Sequence, residues 1–548
     1  MAPIARRNAP RKPLFFKHLR APARPDRAGT EGNGVQLPAG AGAYRSGGAA
    51  AAAADPHRED DMRSRAMALL ALAALPAAPS ALPGQEPEST VSVIPGAEYR
   101  AGRVRSALLG RSYRHLWTTP LRVPVLDLRS HAGGLAVVRG GGDRQTRSLR
   151  MRGADGREYV FRSVHKDFPF LPPDLRRSYA GRVVLDQHKA EFPAGVLAMP
   201  PLLEAVGVLH PVPVLYVMPD DPALGEHRAE FAGMLGTLEE RPEEGADGAP
   251  GFAGGRRVVG TERLLEMLEE GTARVAVDEY LAARLVDLVV GDWDRHGDQW
   301  RWVLDETGAA PRWRPVPRDR DKVFSRYDGL LLGPVRARYP RATRFGPRWK
   351  DLYGLAYGAR DLDRRLLAGV DRDGWDAAVA RVQGALTDSV LDAAVARIPP
   401  ELREQAGPSL GAALRARRDG LREPAEWLYR FHAAAPEVHA TDGADAAEVV
   451  HGPDGSLAVR VFTAGAERTA PSFQRTFVPG ETREVRVYLH GGADSVRATG
   501  EERGQIHVRL VGGNGDDHFS TGTRSVRVYD HEGLNTVEGE RPTPVDAR

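Results

Sequence analysis

Twelve residues near the middle of the chain, Gly291-Asp-Trp-Asp-Arg-His-Gly-Asp-Gln-Trp-Arg-Trp302, hold three acids, two arginines, a histidine and three tryptophans. A second acidic run, Pro317-Arg-Asp-Arg-Asp-Lys-Val-Phe324, follows after one short hairpin. Two carboxylate clusters at this spacing suit a divalent cation that carries nucleotide phosphates, because Mg²⁺ takes a few hard carboxylate oxygens and fills its shell with phosphate and water. From residue types alone, a Ca²⁺ site or a carboxylate hydrolase site stays open. The water-activating His/Asp constellation of a metallophosphoesterase is not visible. Individual residues also have two readings at this point. Asp292 either pairs with Arg295 or Arg318 or supplies a metal oxygen. His296 braces the loop or shuttles a proton. Trp293, Trp300 and Trp302 pack the hairpin or form a substrate platform.

Several elements must position these residues. An apolar helix-forming stretch runs from Tyr280 to Val290, and Asp278 is expected to cap it. Upstream, Gly133 to Met151 reads as strand, glycine turn (Gly140 to Asp143) and strand, and Tyr159 to Val164 as a third, alternating strand. A glycine-rich turn of this kind forms a plain hairpin or brings backbone N–H groups to phosphates. Arg162 and Lys166, in and just after the third strand, are either solvated cations or phosphate ligands. Asp174 to Glu191 reads as a helix whose acids or Gln187 would orient such a cation. Pro211 to Met218 and Ala232 to Pro242 read as two more strands, Pro242 to Arg256 as a loop, and Thr261 opens a helix. Leu362, Leu366, Leu367, Val370, Val379, Val382, Leu386, Val390 and Leu391 follow helical periodicity, and Pro399-Pro400 interrupts the series.

Strands, a helix, two strands and then helices bearing an acidic loop is the order of a two-lobed kinase-like fold. Asp294-Arg-His-Gly-Asp-Gln299 resembles the catalytic loop of the phosphoinositide 3-/4-kinase group, Asp-Arg-His-x-x-Asn. The longer pattern of Asp292-Trp-Asp294, Pro317-Arg-Asp-Arg-Asp321 and Phe324 is similar to the spore-coat CotH kinases and the atypical kinases that include HipA and the Golgi casein kinases. It also resembles an uncharacterised exported bacterial family often found beside metallophosphoesterase or outer-membrane barrel segments. The likeness covers residues 95–435, and its specific part is the two acidic runs.

The resemblance implies Mg²⁺ and ATP as cofactors, and a nucleotide plus an unknown acceptor as partners. Asp294 would be the catalytic base, with Asp292 and His296 in the same loop. Gln299 takes the place of the metal-binding Asn, and Asp319 or Asp321 would carry the metal. Arg162 stands where the family has its phosphate-binding lysine, unless Lys166 is that residue. Gly140, Gly141 and Gly142 would close over the phosphates, and Glu239 and Glu240 would lie beside the adenine. The implied class is α+β: a kinase-like domain over 90–435 (first lobe about 90–242, second about 243–435), then a small all-β repeat module over 437–548. A catalytically silent cell-envelope module on the same fold is the rival reading.

Composition sets the outer bounds. With 76 Lys+Arg against 73 Asp+Glu the formal charge is only +3, so the basic pI reflects arginine-rich composition, and no nucleic-acid partner is expected. The absence of cysteine excludes disulfides, thiol nucleophiles and thiolate metal sites. Residues 1–61 lack apolar periodicity and read as a disordered leader or a misplaced start. Met62-Arg-Ser-Arg, the apolar run to Leu75 and the small residues Pro76 to Ala81 have the layout of a signal peptide. The expectation is export to the periplasm, the outer envelope or the medium, without a membrane span. Three segments starting at Val485, Val508 and Val526 share a strand–Gly/Asp turn–strand theme, suited to a stacked or sandwich-like module. Gly512 to Ser520 fits a Ca²⁺-binding nonapeptide once, but its neighbours match poorly, and a structural turn without calcium is expected.

Overall fold

Short alternating segments followed by long apolar-faced ones fold into a mixed helix-and-sheet protein. The computed structural model describes residues 89–141, 146–166, 174, 178–246, 250–308, 310–332, 339–463, 470–530 and 532–539. The leader, the signal-like segment and Gly142 lie outside the described residues. A small antiparallel pair, β1 (Thr90–Val93) and β2 (Leu121–Pro124), precedes the main sheet.

That sheet is built from β3 (Leu135–Gly141), β4 (Thr146–Gly153), β5 (Glu158–Lys166), β6 (Val214–Val217) and β7 (Leu235–Glu240). It is antiparallel throughout, in the order β3-β4-β5-β7-β6. The period of two sorts β5: Phe161 packs with Leu149, Met151 and Leu238 in a core on one face, while Arg162, Val164 and Lys166 share the other. Between β5 and β6 runs the helix Tyr179–Asp186, started by Ser178 Oγ accepting from Gly181 N at 3.0 Å and continued by a tight turn over Gln187–Ala190.

A second antiparallel sheet holds β8 (Val258–Gly260), β9 (Trp300–Asp305) and β10 (Arg312–Pro317), in the order β10-β9-β8. The helix Val277–Val290 leads into it, with every side chain from Glu279 to Val290 buried. This helix is walled in on all sides, so its apolar residues do not form a stripe. Its N-cap position is Ala276. Asp278 therefore lies in the first turn, where its charge complements the helix dipole, and does not cap the helix as expected. Gly291, at φ +72°, ends the helix in the left-handed conformation that a Cβ would disfavour. Six further helices between Leu352 and Ala433 complete this part, and Pro400 opens the longest, Pro400–Asp419, at its first turn.

Among the described residues from Glu437 to Gly539, the regular elements are all strands. The strands are β11 (Glu437–His439), β12 (Ala446–His451), β13 (Leu457–Phe462), β14 (Phe473–Phe477), β15 (Glu484–Gly491), β16 (Ser495–Gly500), β17 (His507–Asn514), β18 (His518–Thr521), β19 (Val526–Tyr529) and β20 (Thr536–Gly539). β11, β15, β17 and β19 stack in parallel as one sheet, and β12, β16, β18 and β20 in parallel in another. Register sets Val485, Val508 and Val526 above one another, and likewise Val487, Leu510 and Val528. These side chains form a core of their own.

The turns between the two sheets carry a ladder of acids. Asp445 N donates to Asp494 Oδ1 at 2.7 Å, Asp494 N to Asp517 Oδ1 at 2.9 Å, and Asp517 N to Asn535 Oδ1 at 2.8 Å. The other oxygens of Asp494 and Asp517 are buried without a hydrogen-bond partner. Gly512 is small by necessity, because a Cβ there would lie 2.2 Å from Asp530 Oδ2 and 2.5 Å from Asp517 Oδ2. Burial, aided by neighbouring carboxylates, pushes Asp494 up to about 7 and Asp517 up to about 6. An acid whose pKa is raised by folding adds stability that is full below its unfolded value and lost as pH climbs through the folded one. The β segment should therefore lose stability between about pH 4 and pH 7. Asp494→Asn keeps the acceptor and removes the charge. It should raise the melting temperature at pH 8 by about 2–4 °C and leave it unchanged or lower at pH 4. Thermal melts followed by circular dichroism across that range check both signs.

Candidate active site

The loop after the long helix rests on buried charge. Arg284 Nε donates to Asp363 Oδ1 at 2.9 Å and Arg284 Nη1 to Asp287 Oδ2 at 2.6 Å. Arg320 bonds Asp287 and lies 3.4 Å from Asp292 Oδ2. Arg295 stands 3.7 Å from both Asp287 and Asp292. Three arginines and three aspartates thus form one chain of ion pairs with almost no access to water. Tyr280 Oη adds a bond to Asp363 at 2.7 Å. Burial raises Asp292 to about 6, against the pull of Arg295 and Arg320. Asp292 is therefore enclosed by these two arginines and takes no place in the cleft. Its partners are Arg295 and Arg320; Arg318 makes no ion pair among the described residues.

Arg295 also sets the loop's outline. It donates to the carbonyls of Arg318 at 2.9 Å and Gln299 at 3.1 Å, and its guanidinium lies 4.8 Å over the Trp300 ring. The hairpin pairs Trp300 with Pro317, so the loop 291–299 and the run 318–321 emerge side by side. Trp300 and Trp302 are fully buried against Tyr280, and Trp302 Nε1 donates to Thr261 Oγ1 at 3.0 Å. They hold the hairpin. Asp294 is partly exposed, with its oxygen 3.9 Å from His296 Nε2, and it is not among the residues that line the cleft. Gln299 is buried, with its amide 3.4 Å from the same nitrogen.

The cleft itself opens between the Lys166 face of β5 and the run 319–321, and holds about 600 Å³ of atom-free space, part of it open to solvent. Lys166 Nζ, buried, lies 2.9 Å from Glu191 Oε2 and bonds Asp321. Lys322 bonds the other oxygen of Glu191. Burial would raise Glu191, but Lys166 and Lys322 hold it well below the usual carboxylate range. Burial raises Asp321 despite the same two lysines. Asp319, held at φ +55°, is lowered because Arg162, Lys166, Arg318 and Lys322 outweigh its burial. Both cations on β5 line the cleft: Lys166 meets Glu191 and Asp321, and Arg162 lies 3.4 Å from Glu239 and pulls Asp319 down.

Other residues singled out from the sequence lie elsewhere. Glu240 faces away and pairs with Arg157 at 3.1 Å. Gly140 and Gly141 belong to β3, opposite Leu149 and Ser148. A Cβ on Gly140 would meet the His227 ring at 2.8 Å, so its glycine serves packing beside the sheet. Trp117 and the segment Phe192 to Val196 line the cleft without any sequence signal having pointed to them. Among the described residues no group of three or more His, Asp or Glu is gathered as a metal site. Asp319 and Asp321 still suit Mg²⁺, which commonly takes one or two carboxylates and completes its shell with substrate phosphates and water.

No family model and no curated protein matches the chain. Solved structures do match about half of it. They include the Helicobacter pylori proinflammatory kinase CtkA (8% identity, 52% of this chain and 94% of that one, TM-score 0.28). A Shewanella oneidensis HipA–HipB–operator DNA complex follows (12%, 53% and 67%, TM-score 0.27). The Chaetomium thermophilum Rio2 kinase in its ADP/Mg²⁺-phosphoaspartate complex is a third (12%, 53% and 71%, TM-score 0.21). At these scores no residue role rests on the likeness.

Burial separates the two aspartates of the loop. Asp292→Ala should cost about 3–5 kcal/mol, because Arg295 and Arg320 lose a buried partner. Asp294 is partly exposed, so Asp294→Ala should stay within about 0.5 kcal/mol of wild type. Urea unfolding of the two variants measures the difference.

Proposed function

We propose that the chain is a two-lobed, kinase-like protein that transfers a phosphoryl group from Mg·ATP to an acceptor hydroxyl. The observation that carries this reading is the Lys166–Glu191–Asp321 contact, in which a sheet lysine is gripped by an acid after the adjoining helix and an acid after the hairpin. The sheet order, with the helix between β5 and β6, supports it. Phosphoryl transfer needs positioning and neutralised charge more than covalent chemistry. Bound Mg²⁺ would neutralise phosphate charge, with Asp321 and Asp319 to hold it. Lys166 binds phosphate oxygens and Glu191 fixes its direction. Asp294, partly exposed in the loop 291–299, accepts the acceptor's proton, and His296 and Gln299 steady that loop.

A second reading rests on the Arg162–Glu239 pair, in which a cation lining the cleft is held by an acid of the same sheet. In that reading the fold is kept as a cell-envelope binding module without turnover. Isothermal titration with Mg·ATP separates the two. Wild type should bind, and Lys166→Met and Asp321→Ala should not. Asp294→Ala should bind and lose about 10²–10⁴ in turnover. Wild-type protein that takes up no nucleotide with Mg²⁺ present sinks the phosphotransfer reading.

Export is part of the proposal, on the strength of the Met62 to Ala81 layout. No helix among the described residues is long and apolar enough to cross a membrane. N-terminal sequencing of protein from the native cell should find a start between Ala81 and Gln85. A terminus at residue 2 is the contrary result.

A further inference from the structure

Glu191 is shared by more cations than one lysine's positioning requires. Its Oε2 lies 2.9 Å from Lys166 Nζ and 3.2 Å from His188 Nδ1, while its Oε1 accepts from Lys322 Nζ. Lys322 also stands 3.8 Å from Asp321 and 5.6 Å from the centre of the Trp293 ring. Both lysines and Glu191 are buried. Lys322 thus joins three segments: the stretch after the Tyr179–Asp186 helix, the loop 291–299 and the run 317–324. With Asp321 the group counts two ammonium and two carboxylate charges, a neutral square.

A phosphate ligand disturbs half of that square. Lys166 must turn toward phosphate oxygens, and Asp321 toward the metal they bring. Glu191 would then have to share its principal cation with the ligand, unless a second one stays. We propose that Lys322 is a positioning residue that stays with Glu191 through nucleotide binding and so frees Lys166 for the phosphates. The inference rests on the phosphotransfer reading and goes beyond it, because it makes the Lys–Glu pair independent of the ligand. Lys322 belongs to the run after the hairpin and Glu191 to the stretch beside the main sheet. Their bond therefore also holds the two walls of the cleft together before any nucleotide arrives.

Titration of the full chain with Mg·ATP tests this on Lys322→Met, Lys322→Gln and Lys322→Arg, each first checked for a cooperative melt. The two uncharged variants should weaken Mg·ATP binding about tenfold or more, since a buried charge pair is broken. Lys322→Arg, which keeps the cation, should stay within about threefold of wild type. If wild type binds and both uncharged variants bind like it, the role of Lys322 is overturned while the phosphotransfer reading stands. If Lys322→Arg binds as weakly as the uncharged pair, or neither uncharged variant melts cooperatively, Lys322 serves packing and the inference also falls. A wild type that does not bind Mg·ATP overturns the reading beneath it.

Discussion

The arrangement depends first on six buried charges: Arg284, Arg295 and Arg320 against Asp287, Asp292 and Asp363. Burying an ion pair usually gains little over burying an apolar pair of the same size, but removing one partner is costly. Such a chain is therefore poor at adding net stability and good at fixing one arrangement. The six come from four places: the long helix, the loop 291–299, the run 317–324 and the helix Arg360–Leu366. A small shift of any of these would strand a charge in a dry interior. The loop that carries Asp294 thus has little freedom to adopt another path. Arg295 extends the constraint to the backbone, since its two bonds to the Gln299 and Arg318 carbonyls tie the loop's end to the start of the second acidic run.

Above this buried layer the cleft has the opposite character. Lys166, Lys322, Glu191 and Asp321 are balanced but open to exchange, because Asp321 keeps part of its side chain in reach of solvent. The two layers use the same residue types for different ends. In the lower one, every charge has a fixed protein partner and is buried. In the upper one, the pairs Lys166–Asp321 and Lys322–Asp321 share a carboxylate that a ligand can draw away. The run itself joins them: Arg320 pairs with Asp287 and Asp292, and it lines the cleft beside Asp319 and Asp321.

Much of this was legible in the sequence, and the failures have identifiable causes. The two acidic runs stood out because local composition is visible without a fold, and the strand and helix order followed from period and turn residues. The pairing of Lys166 with Glu191 was open, because choosing between Arg162 and Lys166 needs the tertiary position of Glu191. Both cations lie on the same face of β5, so alternation cannot separate them. Glu191 itself was visible only as one acid in the stretch from Asp174. Asp292 looked as available as Asp294. Only the enclosing arginines, one of them Arg320 from beyond the hairpin, distinguish a buried acid from a partly exposed one. The glycines at 140 and 141 illustrate the reverse case. A glycine-rich segment suggests a phosphate loop, yet Gly140 is accounted for by the His227 ring standing where its Cβ would be.

The C-terminal strands apply the same principle in another geometry. Parallel stacking brings identical turn positions into register, so one acid per coil becomes a column of acids at the spacing of adjacent strands. Each carboxylate accepts the backbone N–H of the coil before it, which satisfies a buried donor at every step. The column also accumulates negative charge, and its unpartnered oxygens on Asp494 and Asp517 record that cost. Asn535 closes the described column with an amide, which offers the same acceptor to Asp517 N without adding another charge. The other end is anchored differently: Thr441 N and Oγ1 donate to Asp445, and Asp442 N donates to the Glu269 carbonyl at the end of the helix Thr261–Glu269. Each coil thus adds a donor that must be met, and an amide meets it without the repulsion that another carboxylate would bring.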